Sequence, residues 1–430
     1  MATVSRGLPA RPHLDIPKRE ARALLAGWRE NRPDALERAR ARHPRLASTS
    51  PAAFKLADAQ LVIAREYGFS SWPELKRRIE SNPAAVAIQR AIHADDRPAA
   101  LGLLRAHPDL LHVPLWSGNW GPPMSHAANL GRLELVQAIA DLGARDHQHA
   151  FDRAVLQGRI ECARWLFAQG ARLEPGIIMG ACETLNVEGF RFLLELGAPL
   201  TDERGDRLAP LRLVVETYGR KPAGKHAILA MLEARGYELP DSPIAALHRG
   251  DLPRLREHLR GDPGLLARRF PLPEIYPPEL GCGERGRSGM HWTPVDGGTL
   301  LHLAVDFREH EITAWLLEAG ADVNARAACD AEGFGGHTPL FHTVVNGPGD
   351  DDAVARRLLA HRASPGIRAD LRKFLDWRAE PRWHVARDVT ALDWARTFPD
   401  RGWVNAAALQ LLETLPTPTS GGTSASAPED

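Results

Sequence analysis

Four short phrases in this chain carry a glycine in the same place: LGAR at 142–145, QGAR at 169–172, LGAP at 196–199 and AGAD at 319–322. Gly143, Gly170 and Gly197 lie 27 residues apart, and a glutamate stands nine residues ahead of each glycine: Glu134, Glu161, Glu188, and Glu311 ahead of Gly320. Self-similarity at a fixed period limits the fold more than any local propensity, because each unit must bury its apolar face against the next. Between glutamate and glycine runs a helix-period apolar segment, such as ELVQAIADLGA or EITAWLLEAGA. The glycine then fits the position just past a helix end, where a left-handed backbone is needed. The expected fold class is all-α, a solenoid of helix pairs.

A second, shorter helix precedes each of these. GGTLLHLAVDF (297–307) and GGHTPLFHTVV (335–345) match the phrase T-P-L-H-x-A-A of the ankyrin repeat, and GADVNAR (320–326) matches its connecting phrase. Thr suits the helix cap, Pro the first turn, and small residues let paired helices approach closely. Residues 83–418 therefore resemble an ankyrin-repeat solenoid of about nine units. The likeness is clearest at 299–326, good at 121–147 and 336–347, and faint at 83–113, 206–240 and 388–418. The 27-residue steps are shorter than the family's 33, so those connecting fingers are trimmed. His302 stands at the family's T-P-L-H histidine, which the resemblance assigns to bonding neighbouring backbone.

Residues 1–82 read as a helical cap over the first repeat. SSWPELKRRIE offers a capping box from Ser71 to Glu74, and AREYGFSSWPELK resembles a stretch that precedes ankyrin repeats in some soil-bacterial proteins. This beginning is basic: residues 1–80 hold 16 Lys and Arg against 9 Asp and Glu, which solvated helix faces explain. The Pro/Ser/Thr/Gly-rich end, 419–430, is expected to be disordered. The whole chain has zero formal net charge, which argues against nucleic-acid binding. No run of about 18 apolar residues suggests a membrane span. Four dispersed cysteines without a CxxC pair point to a reducing, cytoplasmic setting.

In this fold the short helices line a concave groove. Aligning the units places His93, Asn129, Leu156, Glu183, Glu216, His248, Asp306 and Val345 at one equivalent position near the end of each short helix. Six of these eight are polar or ionisable, and neighbouring helices pack about 10 Å apart, so adjacent members are expected to share a ligand. Asp306 is then solvent-facing, and its loss should barely affect stability. Residues 271–298 are too long for a plain connection and read as an ordered flap over the groove. The flap carries Glu274, Tyr276, Glu279, His291, Trp292 and Asp296 toward a pocket. A glycine-rich loop (325–337) brings Asp330 and His337 near, and a third irregular stretch, TYGRKPAGKH, occupies 217–226. His147 and His149, two residues apart, would point to the same side of an extended segment, and with Asp146 and Asp152 they have metal-ligand chemistry. However, His149 and Asp152 stand where the repeat wants its capping Thr and its His, and local bonding accounts for both, so no metal and no cofactor are expected.

The functional expectation is a recognition scaffold that binds a protein or a small polar ligand in the groove. The alternative is an enzyme with acid–base chemistry on Glu183, Glu216, His248 and Asp306 beneath the flap. No nucleotide-binding or hydrolase motif stands in the right context.

Overall fold

The computed structural model describes residues 13–43, 54–80, 83–115, 119–282, 293–347, 351–375 and 382–415. The expected disordered end, together with His291 and Trp292, lies outside them. The chain divides into two compact units, residues 1–173 and 174–430.

The first unit opens with four helices: α1 (Asp15–Arg29), α2 (Pro33–Arg42), α3 (Leu56–Glu66) and α4 (Trp72–Glu80). Their apolar faces meet in a core of their own, built from Leu24, Ala39, Val62, Ile63 and Leu75, with Trp28 stacked on Phe54 at 4.5 Å. Arg38 closes the rim with a two-pronged bond to Glu66, both at 2.9 Å. Half of the expected capping box forms: Glu74 N–H donates to Ser71 Oγ (3.4 Å), but the Glu74 carboxylate accepts from Ser70 N–H (2.9 Å), one residue before the expected Ser71. Three helix pairs follow: α5 (Pro83–His93) with α6 (Arg97–Ala106), α7 (Pro123–Leu130) with α8 (Leu133–Asp141), and α9 (His147–Leu156) with α10 (Ile160–Ala168).

The second unit holds six more pairs. They are α11 (Ile177–Thr184) with α12 (Val187–Glu195), α13 (Ala209–Glu216) with α14 (Pro222–Glu233), and α15 (Pro243–Arg249) with α16 (Leu252–Gly261). After a short helix, α17 (Leu272–Ile275), come α18 (Leu300–Asp306) with α19 (His310–Glu318), α20 (Phe341–Val344) with α21 (Ala353–Ala360), and α22 (Ala391–Thr397) with α23 (Ala406–Glu413). The described residues thus contain nine pairs. Gly143, Gly170, Gly197 and Gly320 all have positive φ, from 79° to 99°. A Cβ at any of the four would meet nothing within 4 Å, so glycine is needed there for backbone conformation and not for space.

A β-hairpin inserted before the last pair is not anticipated by the helical period. Strands β1 (Ala369–Leu375) and β2 (Arg382–Val389) pair antiparallel, with Arg372 opposite Val385 and Phe374 opposite Trp383. Burial in β1 alternates strictly, so Leu371 and Leu375 face the core. The ends of the 271–298 insertion are pinned together: Phe270 N–H donates to Gly298 O (2.9 Å) and Gly297 N–H to Phe270 O (2.8 Å). These two bonds hold the start and the end of the insertion against each other.

The α1–α4 core draws only on residues 14–79. We therefore expect a chain starting at residue 83 to keep the melting temperature of the repeats and to stay soluble. A lower melting temperature with new binding of an apolar dye would instead establish residues 1–82 as a cap.

Candidate functional site

Asp306 ends α18, the helix begun by Thr299. The Thr299 N–H and hydroxyl both donate to His302 Nδ1 (3.1 and 2.9 Å), and His302 Nε2–H donates to the carbonyl of His337 (3.1 Å). Burial pushes the His302 pKa down to about 3, so the ring acts as a neutral relay between two repeats. This fixes α18 with Asp306 pointing inward. The carboxylate is fully buried. It accepts from Arg220 Nη2 at 2.7 Å and from His342 Nδ1 at 2.9 Å. Arg220 also donates to the Thr217 carbonyl (2.9 Å).

The expectation of a solvent-facing Asp306 is therefore corrected. A buried carboxylate must be paired and hydrogen-bonded, and it is paired here by a residue 86 positions earlier in the chain. Arg220 precedes α14, which takes up the second half of the 217–226 stretch expected to be irregular, and its guanidinium neutralises Asp306.

His248 is corrected in the same way. It is buried; Lys225 Nζ donates to its Nδ1 at 2.7 Å, and its Nε2–H donates to the Ile275 carbonyl at 2.8 Å. That second bond fastens the first part of the 271–298 insertion to α15. Lys225 is itself buried, with its ammonium 4.7 Å from the Phe307 ring centre. Burial and then the nearby Arg220 lower the Lys225 pKa to about 7, against the opposing pull of Glu309, Cys282 and Asp306. Burial and the Lys225 charge hold His248 well below its usual value.

The remaining column members separate. Asn129 is buried and accepts from Arg153 Nε (3.0 Å) and Nη2 (2.6 Å), and Val345 is buried in the core. His93 is exposed, 2.9 Å from His126 through their Nε2 atoms, and stacked on Trp120. Leu156, Glu183 and Glu216 are half-buried. Tyr218 donates to Glu183, and burial followed by that carboxylate's charge raises the tyrosine pKa. The column is thus not one polar strip open to a groove.

Among the flap residues, Tyr276 is buried beside His248, with ring centres 6.1 Å apart. Glu279 is exposed, and Asp296 accepts from Leu272 N–H at 2.7 Å. Asp330 pairs with Arg372 (2.7 Å), and His337 is buried with its Nε2–H on the Pro294 carbonyl (2.9 Å). His147 and His149 sit in the first turn of α9, not in an extended segment. Residues two apart on a helix diverge by roughly 200°, so the two rings do not face one site. Asp146 caps Ser125, and Asp152 accepts from Gln148. Among the described residues no three His, Cys, Asp or Glu side chains gather as metal ligands.

The structure does assemble one open feature that sequence reasoning only half found. A cleft of about 800 Å³ is lined by the insertion (Leu272, Asp296), the 325–337 loop (Cys329, Asp330, Phe334, His337) and the hairpin. The hairpin's contribution was missed. Arg372 lies 4.6 Å from the Phe334 ring centre and 5.1 Å from that of Trp383, Arg387 lies 4.2 Å from Phe334, and Phe374 meets Trp383 at 5.3 Å. Trp383 and Val385 are 45% and 50% exposed, two of three large apolar side chains so exposed among the described residues. The alternation in RWHVARDV was the signal that could have revealed this face.

Two outcomes follow from the buried pairs. Asp306→Ala strands a buried guanidinium and is expected to cost about 3–5 kcal/mol in denaturant unfolding; a change under about 0.5 kcal/mol would show a solvated carboxylate instead. Lys225 titrates near 7 when folded and near its ordinary 10.5 when unfolded. The unfolded chain therefore holds the extra proton between these values, and stability should rise with pH from about 7 towards 10.5. Lys225→Met should flatten that rise; an unaltered pH–stability curve would contradict it.

Residues 296–328 match the family model described as ankyrin repeat. The mouse protein named ankyrin repeat and SOCS box protein 16 is 28% identical over 227 residues, covering 50% of this chain and 43% of that protein. The chain thus spans under half the length of this relative. A solved structure of the human ASB11 ankyrin repeat domain is 19% identical, covers 69% of this chain and 99% of that one, and superposes with a TM-score of 0.24. No helix among the described residues is long and apolar enough to cross a membrane. Residues 296–328 thus match an ankyrin repeat, and helix pairs closed by a left-handed glycine recur along the described residues.

Proposed function

We propose that the protein is a recognition scaffold that engages a protein partner through the hairpin face and the adjoining cleft. Ankyrin repeats are generally protein-interaction scaffolds, and the exposed Trp383–Val385 face is the observation that carries this reading. Tryptophan and arginine dominate the energetics of protein interfaces, especially where a pocket adjoins them. Here Trp383, Arg372 and Arg387 surround Phe334 at the edge of a cleft of about 800 Å³. The acid–base alternative is less well supported, because His248 and Asp306 are buried and already bonded.

The proposal is tested by quantitative capture of binding proteins on the wild-type chain, on Trp383→Ala and on the double change Glu183→Ala/Glu216→Ala. Loss of an interface anchor costs about 2 kcal/mol or more, roughly thirtyfold in affinity. Partners should fall away with Trp383→Ala at an unchanged melting temperature. Partners that survive Trp383→Ala but are lost with the Glu183/Glu216 pair would return recognition to the groove.

A further inference from the structure

Strand β2 is the edge of its sheet. The far side of β1 is bridged by Gly335, whose N–H donates to the Asp370 carbonyl at 2.7 Å. On the far side of β2 no strand or bridge is present among the described residues. Such an edge offers a row of N–H and C=O groups to another extended chain, and natural proteins blunt it with proline, charge or a bulge. Here the bulge comes late: Arg387 and Asp388 together stand against Asp370, with Asp388 at a φ of 49°. Residues 382–386, RWHVA, pair regularly with β1 and hold no proline.

Residues directly opposite in an antiparallel sheet share a face, so Arg372 with Val385 and Phe374 with Trp383 form the outer one. The two exposed apolar residues, Trp383 and Val385, lie on either side of His384. They are therefore self-complementary: a second β2 strand, antiparallel and centred on His384, sets each Trp383 opposite the partner's Val385. Other registers lose this match. A centre on Val385 carries the pairing into the bulge, and a centre on Trp383 leaves Val385 beyond the end of the partner strand. A shift by one residue turns the apolar pair to the opposite face from the partner's. In the His384 register each row crosses four strands as Phe374, Trp383, the partner's Val385 and the partner's Arg372. Aromatic and β-branched residues are favourable cross-strand neighbours. Charge does not oppose the contact. Arg372 is held by Asp330 and Glu332, Arg387 by Asp370, and Asp388 by Arg368. The chain has zero formal net charge, which favours self-association, and a face whose charges are met internally suits a neutral strand more than an acidic or basic one.

We propose that two copies of this chain pair antiparallel through the edges of their β2 strands, centred on His384, into a four-stranded sheet. This rests on the reading of the hairpin face as an interaction surface and names a second copy as its partner. The contact is isologous, each copy giving the same edge. Residues 382–386 alone make a smaller contact than a permanent dimer uses, which places the affinity at roughly micromolar.

Sedimentation velocity on the full chain, from about 1 to about 100 µM, tests the proposal. The wild-type chain should pass from monomer to dimer. Val385→Lys, at an exposed position, should weaken the dimer roughly tenfold or more at an unchanged melting temperature. Leu208→Lys, which replaces the remaining large apolar side chain so exposed among the described residues, should leave the dimer intact. Disulfide trapping reads the register. With Cys329→Ser in every chain, Trp383→Cys chains mixed with Val385→Cys chains should cross-link to each other faster than either does to itself. A dimer untouched by Val385→Lys, or one that cross-links equally in all combinations, would overturn the proposal. So would a wild-type chain that stays monomeric throughout. In that last case, capture of other proteins separates the two readings: partners lost with Trp383→Ala overturn the second copy and keep the interface, and partners retained overturn both.

Discussion

Burial of the Asp306 carboxylate is the constraint around which the second unit is arranged. A charge with no exposed surface is tolerated only with a partner of excellent geometry. Arg220 supplies the charge and His342 a further hydrogen bond. These three residues come from the 217–226 stretch, α18 and α20, so one carboxylate ties together segments of three repeats. The Lys225–His248–Ile275 chain does the same for α14, α15 and the insertion. Phe307 joins the two systems, its ring 4.7 Å from Lys225 Nζ, 5.6 Å from the Arg220 guanidinium and 5.1 Å from the His248 ring.

These junctions change where function is sought. Residues at the end of the short helices look available because they are polar, yet at Asn129, His248 and Asp306 the polarity is consumed internally. The exposed side chains suited to an interface lie elsewhere. The hairpin face leaves tryptophan and valine in solvent beside a cleft. The cleft borders the Asp306 junction through His337, whose ring centre lies 5.2 Å from that of His342.

Much of the fold was legible because it rests on local rules. The 27-residue glycine spacing marked helix ends, and Gly143, Gly170 and Gly197 are left-handed as required. Thr299 and His302 matched the family phrase, and their bonding follows it. Asp306 was misread because periodicity tells which residues share a position but not what packs above them; its partner lies 86 residues away. His147 and His149 were placed on an extended segment because the start of α9 carries no Thr-Pro signal. The hairpin escaped because β1 alternates in burial but not in residue type: Lys373 takes a buried position, so ADLRKFL does not read as apolar–polar alternation. The candidate site was therefore legible in its loops, 271–298 and 325–337, and illegible in the strand pair that completes it.

The account stands most directly on the coupling between Arg220 and Asp306. A double-mutant cycle with Arg220→Met, Asp306→Leu and the combined change, read by equilibrium unfolding, isolates it. The internal-junction account requires each single change to be severely destabilising and the double change to recover much of the loss, with a coupling of at least about 2 kcal/mol. Small, additive effects would mean that Asp306 is solvated in the folded chain, and the polar column would again be the place to look for function.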